Sequence, residues 1–321
     1  MKPAAFDYVR PSTVAEALDA LRGTPGARVL AGGQTLGPML NLRLAQPALL
    51  VDITRIPELA AVTEEADGVT IGATVTHAAI EDRRSPDPTG GFLARVARGI
   101  GYRAVRTRGT IGGSLAHADP SADWLACLTA LRAEVAIAGS GGRRRVPIAG
   151  FVRGAMETEL APGELVIGVR IPRLPRGARF GFHKICRKAG EFADAIGVVI
   201  ADPDGSCVCV SAGATTNPPL MMKTVSRRFE LGQGASRSVP SPVAPETRTR
   251  NVGEGQGGGD SQASRLGVPP TPNPSPQGGG ESGRALDARV LLAAAGFAGD
   301  TYDLALHAAA LERAFNEAFA P

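Results

Sequence analysis

The chain is short of the residues that build several common kinds of site. It has four cysteines in 321 residues, Cys127, Cys186, Cys207 and Cys209, and no two of them form a C-x-x-C pair. That spacing excludes the usual iron–sulfur ligand sets and favours free, buried thiols in a reducing compartment over a metal site. Cys207 and Cys209 alternate in "CVCVSAG", the pattern of a strand with both thiols on one face. Aromatic residues are only 4% of the chain, too few to interleave with a basic stripe, so no nucleic-acid partner is expected. There is no run of 18 apolar residues, so no transmembrane segment is expected. The N-terminal "MKPAAFDYVRPSTVAEAL" lacks an apolar signal core, and a cytoplasmic location is expected.

The composition is that of an ordinary globular protein, 43% hydrophobic and 21% charged, and the length favours two or three lobes. Net charge is +4. The one tight basic cluster, Arg143-Arg144-Arg145 after "GSGG", reads as a solvated turn. "PSTVAEALDALRG" predicts a capped helix ended by Gly23, with Glu16 in its first turn and Val14, Ala17, Leu18 and Leu21 at helical spacing. "ARVLAGG", "ALLVDITRI" and "GELVIGVRIP" read as strands. "GVTIGATVTHAAI" turns from strand to helix near Thr76, "FLARVARGI" is helical, and "WLACLTALRAEVAIAG" turns from helix to strand by Val135. "RFGFHKICRK" and "FADAIGVVIADPDGSCVCVSAG" supply a second sheet. Strands and helices mix without strict alternation, which points to an α+β fold. From Thr224 to Gly283 the chain is rich in Ser, Pro, Gly, Arg and Gln and has no period, as in "GVPPTPNPSPQGGGESG". Such a stretch is expected to be disordered. A helix in "RALDARVLLAAAGFAG" follows. "TYDLALHAAALERAFNEAFA" is a final amphipathic helix with Leu304, Leu306, Ala310, Leu311, Ala314, Phe315 and Phe319 on its apolar side.

Two turns carry the chemistry. "LAGGQTL" contains Ala31, Gly32, Gly33, Gln34 and Thr35; "TIGGSL" contains Thr110, Ile111, Gly112, Gly113 and Ser114. A glycine pair lets a ligand approach the main chain closely, successive N–H groups can converge on one anion, and the hydroxyls and amide add donors. Two such turns suit the two phosphates of a dinucleotide. Neither is a P-loop, and neither has Rossmann glycine spacing, so spacing alone leaves ordinary strand–helix turns open. In "HADPSAD", Asp119 or Ser121 is placed to cap a helix beginning near Ala122, with Asp123 in its first turn. His117 has no evident nucleophile and reads as structural.

In order along the chain, "FDY-x-x-P", "EAL", "LAGGQTL", "LRLAQP", "LVDI", "IGA", "R-x-x-GTIGGSLAHADPSAD", "GEL", "V-x-IP" and "K-x-x-RKAGEFA" resemble the FAD-binding medium subunit of the molybdenum hydroxylases. Carbon monoxide dehydrogenase medium chains and the flavin domain of xanthine dehydrogenase are of this type. The resemblance covers nearly all of residues 4–220 and resumes in "YDLALHAAALERAFNEA". It implies a two-lobed, PCMH-type FAD-binding domain, placed at 1–175, and a smaller α+β domain at 176–321 interrupted by the insert at 224–283. It implies that Ala31, Gly32, Gly33, Gln34, Thr35, Thr110, Ile111, Gly112, Gly113 and Ser114 hold the FAD pyrophosphate. Asp123 matches the family's cofactor-contacting aspartate, and Lys184 a lysine near the flavin ring. No metal ligand and no general acid or base are assigned. The implied partners are a molybdopterin-binding large subunit and a small subunit with two [2Fe-2S] clusters, in a dimer of heterotrimers, with NAD or a quinone as acceptor. Where relatives carry a "P-x-x-AE" helix, "NPPLMMKTVSRRFELG" follows only loosely, and "PPTPNPSPQGGGE" resembles a translated repetitive element. Two alternatives stay open: a non-catalytic remnant damaged by that insertion, and a self-contained PCMH-type FAD oxidase. The second lacks a histidine or cysteine placed for covalent flavin attachment.

Overall fold

Short apolar runs bounded by glycine and proline fold as three larger sheets and one two-stranded sheet in the computed structural model, which describes residues 2–205, 208–216, 218–222 and 286–320. The segment read as an insert lies outside the described residues, as does Cys207. The first sheet is parallel, in the order β1-β3-β2, from β1 (Asp7–Val9), β2 (Arg28–Leu30) and β3 (Leu49–Asp52). Between its strands run α1 (Val14–Gly23) and α2 (Leu36–Asn41). The capping signal at α1 is realised: the Thr13 hydroxyl accepts the Glu16 N–H at 3.2 Å, and the Glu16 carboxylate accepts the Ser12 N–H at 2.8 Å.

The second sheet is antiparallel, with β4 (Val62–Glu65) and β5 (Gly68–Gly72) joined to β6 (Glu134–Gly139) and β7 (Gly142–Pro147) through β10 (Leu165–Pro172). A small hairpin, β8 (Val152–Gly154) and β9 (Glu157–Thr158), precedes β10. Arg143, Arg144 and Arg145 lie within β7, not in a solvated turn. Arg143 pairs with Glu58, Arg144 with Glu159 (2.6 Å) and Glu164 (2.9 Å), and Arg145 with Glu65 (3.0 Å). Acidic partners up to 85 residues away in sequence convert a charge run into the clasp of an edge strand, a device that also discourages pairing with other chains.

The third sheet, β11 (Arg179–Ile185), β12 (Ala195–Ala201), β13 (Val208–Gly213) and β14 (Leu220–Met222), is an antiparallel meander. Every residue of β12 is buried, as expected for a central strand covered on both faces, and this explains its unbroken apolar run "AIGVVIA". One face packs on a core that also holds Val69, Ile71, Val135 and Val169 of the second sheet; Val208, Val210 and Ala212 on the other meet α10 (Ala288–Ala294) and α11 (Thr301–Ala318). On α11 the expected Ala310, Leu311, Ala314 and Phe315 are buried. His307 joins them, its ring nitrogens 2.8 Å from the Asp303 carbonyl and 3.1 Å from that of Gly213.

The remaining helices, α3 (Pro57–Ala60), α4 (His77–Glu81), α5 (Phe92–Arg98), α6 (Arg103–Arg106), α7 (Ile111–His117), α8 (Asp123–Ala130) and α9 (Ile148–Phe151), are short. All eight residues of α8 are buried, the condition of a helix enclosed on every side. It packs on β12 and β13 of the third sheet and carries Trp124, the only tryptophan of the chain, in the core that also holds second-sheet residues. Among the described residues, no helix is long and apolar enough to cross a membrane.

Candidate functional site

The first glycine turn runs from the end of β2 to the start of α2. The Leu30 carbonyl accepts the Ile53 N–H at 3.0 Å, closing the sheet, and the chain then turns through Gly33 at φ +69°. Gly32 is buried, and a Cβ there would lie 2.1 Å from the Arg108 carbonyl oxygen and 2.8 Å from the Gly109 Cα. Gly32 therefore presses directly on the residues that lead into the second turn, although 76 positions separate it from Arg108 (108 − 32). Among the described residues no acceptor faces the N–H groups of Gly32, Gly33, Gln34 or Thr35. The Gln34 and Thr35 side chains are exposed, and the Gln34 amide donates to the Gly32 carbonyl at 3.2 Å.

The second turn is built differently. Thr110 is the N-cap of α7, its hydroxyl oxygen accepting the Gly113 N–H at 3.1 Å. The Ile111 N–H donates to the Val75 carbonyl (3.1 Å), Gly112 to Ala73 (3.0 Å) and Ser114 to Thr110 (3.0 Å). A Cβ on Gly112 would come within 2.5 Å of the Ala73 Cβ. The expectation of free N–H groups on both turns thus holds for the first and fails for the second. There the Ile111 and Gly112 N–H groups are spent on residues 73–75 and those of Gly113 and Ser114 on Thr110, which is buried, while the half-buried Ser114 has its hydroxyl left to offer.

His77 supports this junction, a role that no spacing in the sequence signals. Its N–H donates to the Gly109 carbonyl at 2.9 Å, and its Nδ1 accepts the Trp124 indole N–H at 3.1 Å. Accepting at Nδ1 requires the neutral ring with its proton on Nε2. Burial, aided by the Arg106 guanidinium, lowers its pKa to about 4. The unfolded chain would take up this proton near pH 6.5, so the folded state is disfavoured as pH falls from 6.5 towards 4 and unaffected above. A loss of about 3 kcal/mol is expected across that window. Urea unfolding followed by Trp124 emission should show it, and His77→Gln should flatten the profile.

After the second turn, Asp119 does not cap α8. Its Oδ1 accepts the Ser121 N–H at 2.9 Å, closing a local turn, and the N-cap position is Ala122, with no side-chain bond. Asp123, the first residue of α8, is buried and 3.0 Å from the Lys184 ammonium on β11. Lys184 also donates to the Gly99 carbonyl at 3.3 Å, just beyond α5. Burial raises the Asp123 pKa, and Lys184 opposes the rise. The other carboxylate oxygen, Oδ1, is buried with no partner. A buried acceptor without a donor is costly, so Oδ1 is placed to accept a hydrogen bond from a donating ligand. One turn along α8, burial pushes the Cys127 thiol well up, which leaves it inert.

These residues fit a dinucleotide. A run of unpaired N–H groups suits phosphate, the first turn meets the segment leading into the second, and an orphaned carboxylate oxygen lies beside a lysine.

Residues 4–174 match the family described as the FAD binding domain in molybdopterin dehydrogenase. The 6-hydroxypseudooxynicotine dehydrogenase complex subunit alpha of Paenarthrobacter nicotinovorans is 37% identical over 223 residues, 67% of this chain and 75% of that protein. The carbon monoxide dehydrogenase medium chain of Hydrogenophaga pseudoflava is 37% identical over 246 residues, 74% and 84% of the two chains. A solved structure of carbon monoxide dehydrogenase from Hydrogenophaga pseudoflava superposes with a TM-score of 0.74 at 28% identity, over 100% of this chain and 99% of that one. Quinoline 2-oxidoreductase from Pseudomonas putida 86 gives 0.64 at 33% identity, over 69% and 78%. The chain belongs to the family of FAD-binding domains of molybdopterin dehydrogenases and is the FAD-binding medium subunit of a molybdenum hydroxylase, an oxidoreductase.

Proposed function

We propose that this subunit holds FAD between its two glycine turns, takes electrons from the [2Fe-2S] clusters of a small partner subunit and passes them to NAD or a quinone. The large partner carries molybdopterin and oxidises the substrate, and the assembly is a dimer of heterotrimers in the cytoplasm. The observation that carries the reading is the packing of Gly32 against Arg108 and Gly109, which sets the unpaired N–H groups of the first turn beside the segment that leads into Thr110.

Each residue then has a distinct task. The N–H groups of Gly32, Gly33, Gln34 and Thr35 neutralise phosphate charge without a cation. Ala31 and Ile111 flank the glycines and are half-buried and buried respectively. The Thr110 and Ser114 hydroxyls donate from the second turn, Gly112 keeps it close to residues 73–75, and Gly113 keeps it close to the Thr110 hydroxyl. Lys184 sets a positive charge at the flavin end, and Asp123 fixes that ammonium while offering Oδ1 to a donor. Bound FAD supplies the exchange between single-electron donors and a two-electron acceptor. No cysteine spacing here ligates a cluster, which supports a one-electron donor on another chain. Packing of α10 and α11 on the third sheet supports a working subunit over a remnant.

The test is anaerobic reduction of the complex purified with its large and small subunits. Substrate should bleach the flavin absorbance, and NAD or a quinone should restore it. Clusters that reduce while the flavin stays oxidised would overturn the proposal.

A further inference from the structure

Among the described residues β11 is the edge strand of the third sheet, and it carries Lys184. Edge strands have one side of their backbone unpaired and are held by whatever covers it. Here the cover is two charged side chains 222 positions apart in sequence. The Glu317 carboxylate, on α11, accepts the Phe182 N–H at 3.2 Å. The Arg95 guanidinium, on α5, reaches the Phe182 carbonyl at 3.4 Å. Arg95 and Glu317 also form an ion pair with each other. Both outward backbone groups of Phe182 are thus taken up by one acid–base pair, much as a neighbouring strand would take them.

The position of this clasp matters. Phe182 and Lys184 are two residues apart and share a face of β11. Phe182 meets the Phe92 ring edge-on at 6.4 Å between centroids, and Phe180 stacks on the same ring at 5.0 Å. Lys184 then reaches Gly99 at the end of α5 and Asp123 on α8. On the opposite face, a Cβ on Gly181 would come 1.6 Å from the Ala314 carbonyl oxygen, so α11 lies directly on the strand that Glu317 grips.

We infer that Glu317, with Arg95, is a positioning residue for the cofactor: it sets the register of β11 against α5 and thereby places the Lys184 ammonium on Asp123. The C-terminal helix contributes to the cofactor site through this contact, without touching the glycine turns. The inference rests on the reading that Lys184 faces bound FAD.

The test is a double-mutant cycle on FAD affinity, measured by quenching of Trp124 emission in the full-length apoprotein. Lys184→Ala should weaken FAD binding by about twentyfold. Glu317→Ala should weaken it by about fivefold in the wild-type background, a small effect because the clasp is half-exposed, and by less than about twofold in the Lys184→Ala background. Glu317→Gln keeps an oxygen to accept the Phe182 N–H and should stay within about twofold of wild type; it also serves if the alanine variant unfolds. Equal losses from Glu317→Ala in both backgrounds, or none in wild type, would overturn the inference. No effect of Lys184→Ala would instead overturn the placement of Lys184 at the cofactor, a separate outcome.

Discussion

Gly32→Ala is expected to cost the subunit its flavin. The added Cβ would fall 2.1 Å from one backbone atom, the Arg108 carbonyl oxygen, and 2.6 Å from another, the Arg108 carbonyl carbon. Neither is the movable end of a side chain, so the two turns must separate. Overpacking of this kind destabilises a protein by about 2 kcal/mol. The larger effect falls on the ligand, because the N–H groups of the first turn no longer share one site with Thr110 and Ser114. If about 2 kcal/mol of phosphate interaction is lost, FAD affinity falls about thirtyfold. Gly37, on α2, is the control: a Cβ there meets nothing within 4 Å, so Gly37→Ala should bind FAD normally. The flavin-to-protein ratio after gel filtration distinguishes the two variants.

Lys184→Met is expected to have the largest effect on stability. It leaves the buried Asp123 carboxylate without its partner, and Oδ1 already has none. Breaking one side of a buried pair costs about 3 kcal/mol or more. The sign of the pH dependence follows from the raised Asp123 pKa. A buried carboxyl with a raised pKa penalises the folded state above that pKa, and the penalty is relieved as pH falls and the group takes up a proton. The deficit of Lys184→Met relative to wild type should therefore shrink towards acid pH. Asp123→Asn in the same chain should recover much of the loss at neutral pH. Thermal unfolding of the three variants across pH measures both effects.

What the sequence made legible was mostly local. Thr13 and Glu16 announce α1 because a capping signal is complete within four residues. Thr76 marks the start of α4 in the same way, its hydroxyl accepting the Ala79 N–H. The glycine pair at 32–33 is a turn, as its sequence suggests, whereas the pair at 112–113 lies in the first turn of α7. The contact of Gly32 with Arg108 was not legible, because it depends on how the first sheet meets the loop before Thr110. The difference between the turns was hidden for the same reason: residues 73–75, far upstream, claim the N–H groups of Ile111 and Gly112. Asp123 and Lys184 entered through family resemblance, since no periodicity links residues 61 apart. The arginines of β7 were misread because their acidic partners lie on other segments. His77 stands in an unremarkable "VTHAA" and acquires its role only when Trp124 and Gly109 arrive beside it.

The central claim is that two glycine turns together grip a pyrophosphate, and comparison of FAD with FMN tests it most directly. Trp124 follows Asp123 at the head of α8, so a flavin bound there should quench its emission. Titration of the apoprotein with FAD should give saturable quenching. FMN, which carries the same ring and one phosphate, should bind about a hundredfold more weakly, a difference of about 2.7 kcal/mol. Equal quenching by both flavins, or none by FAD, would contradict the account.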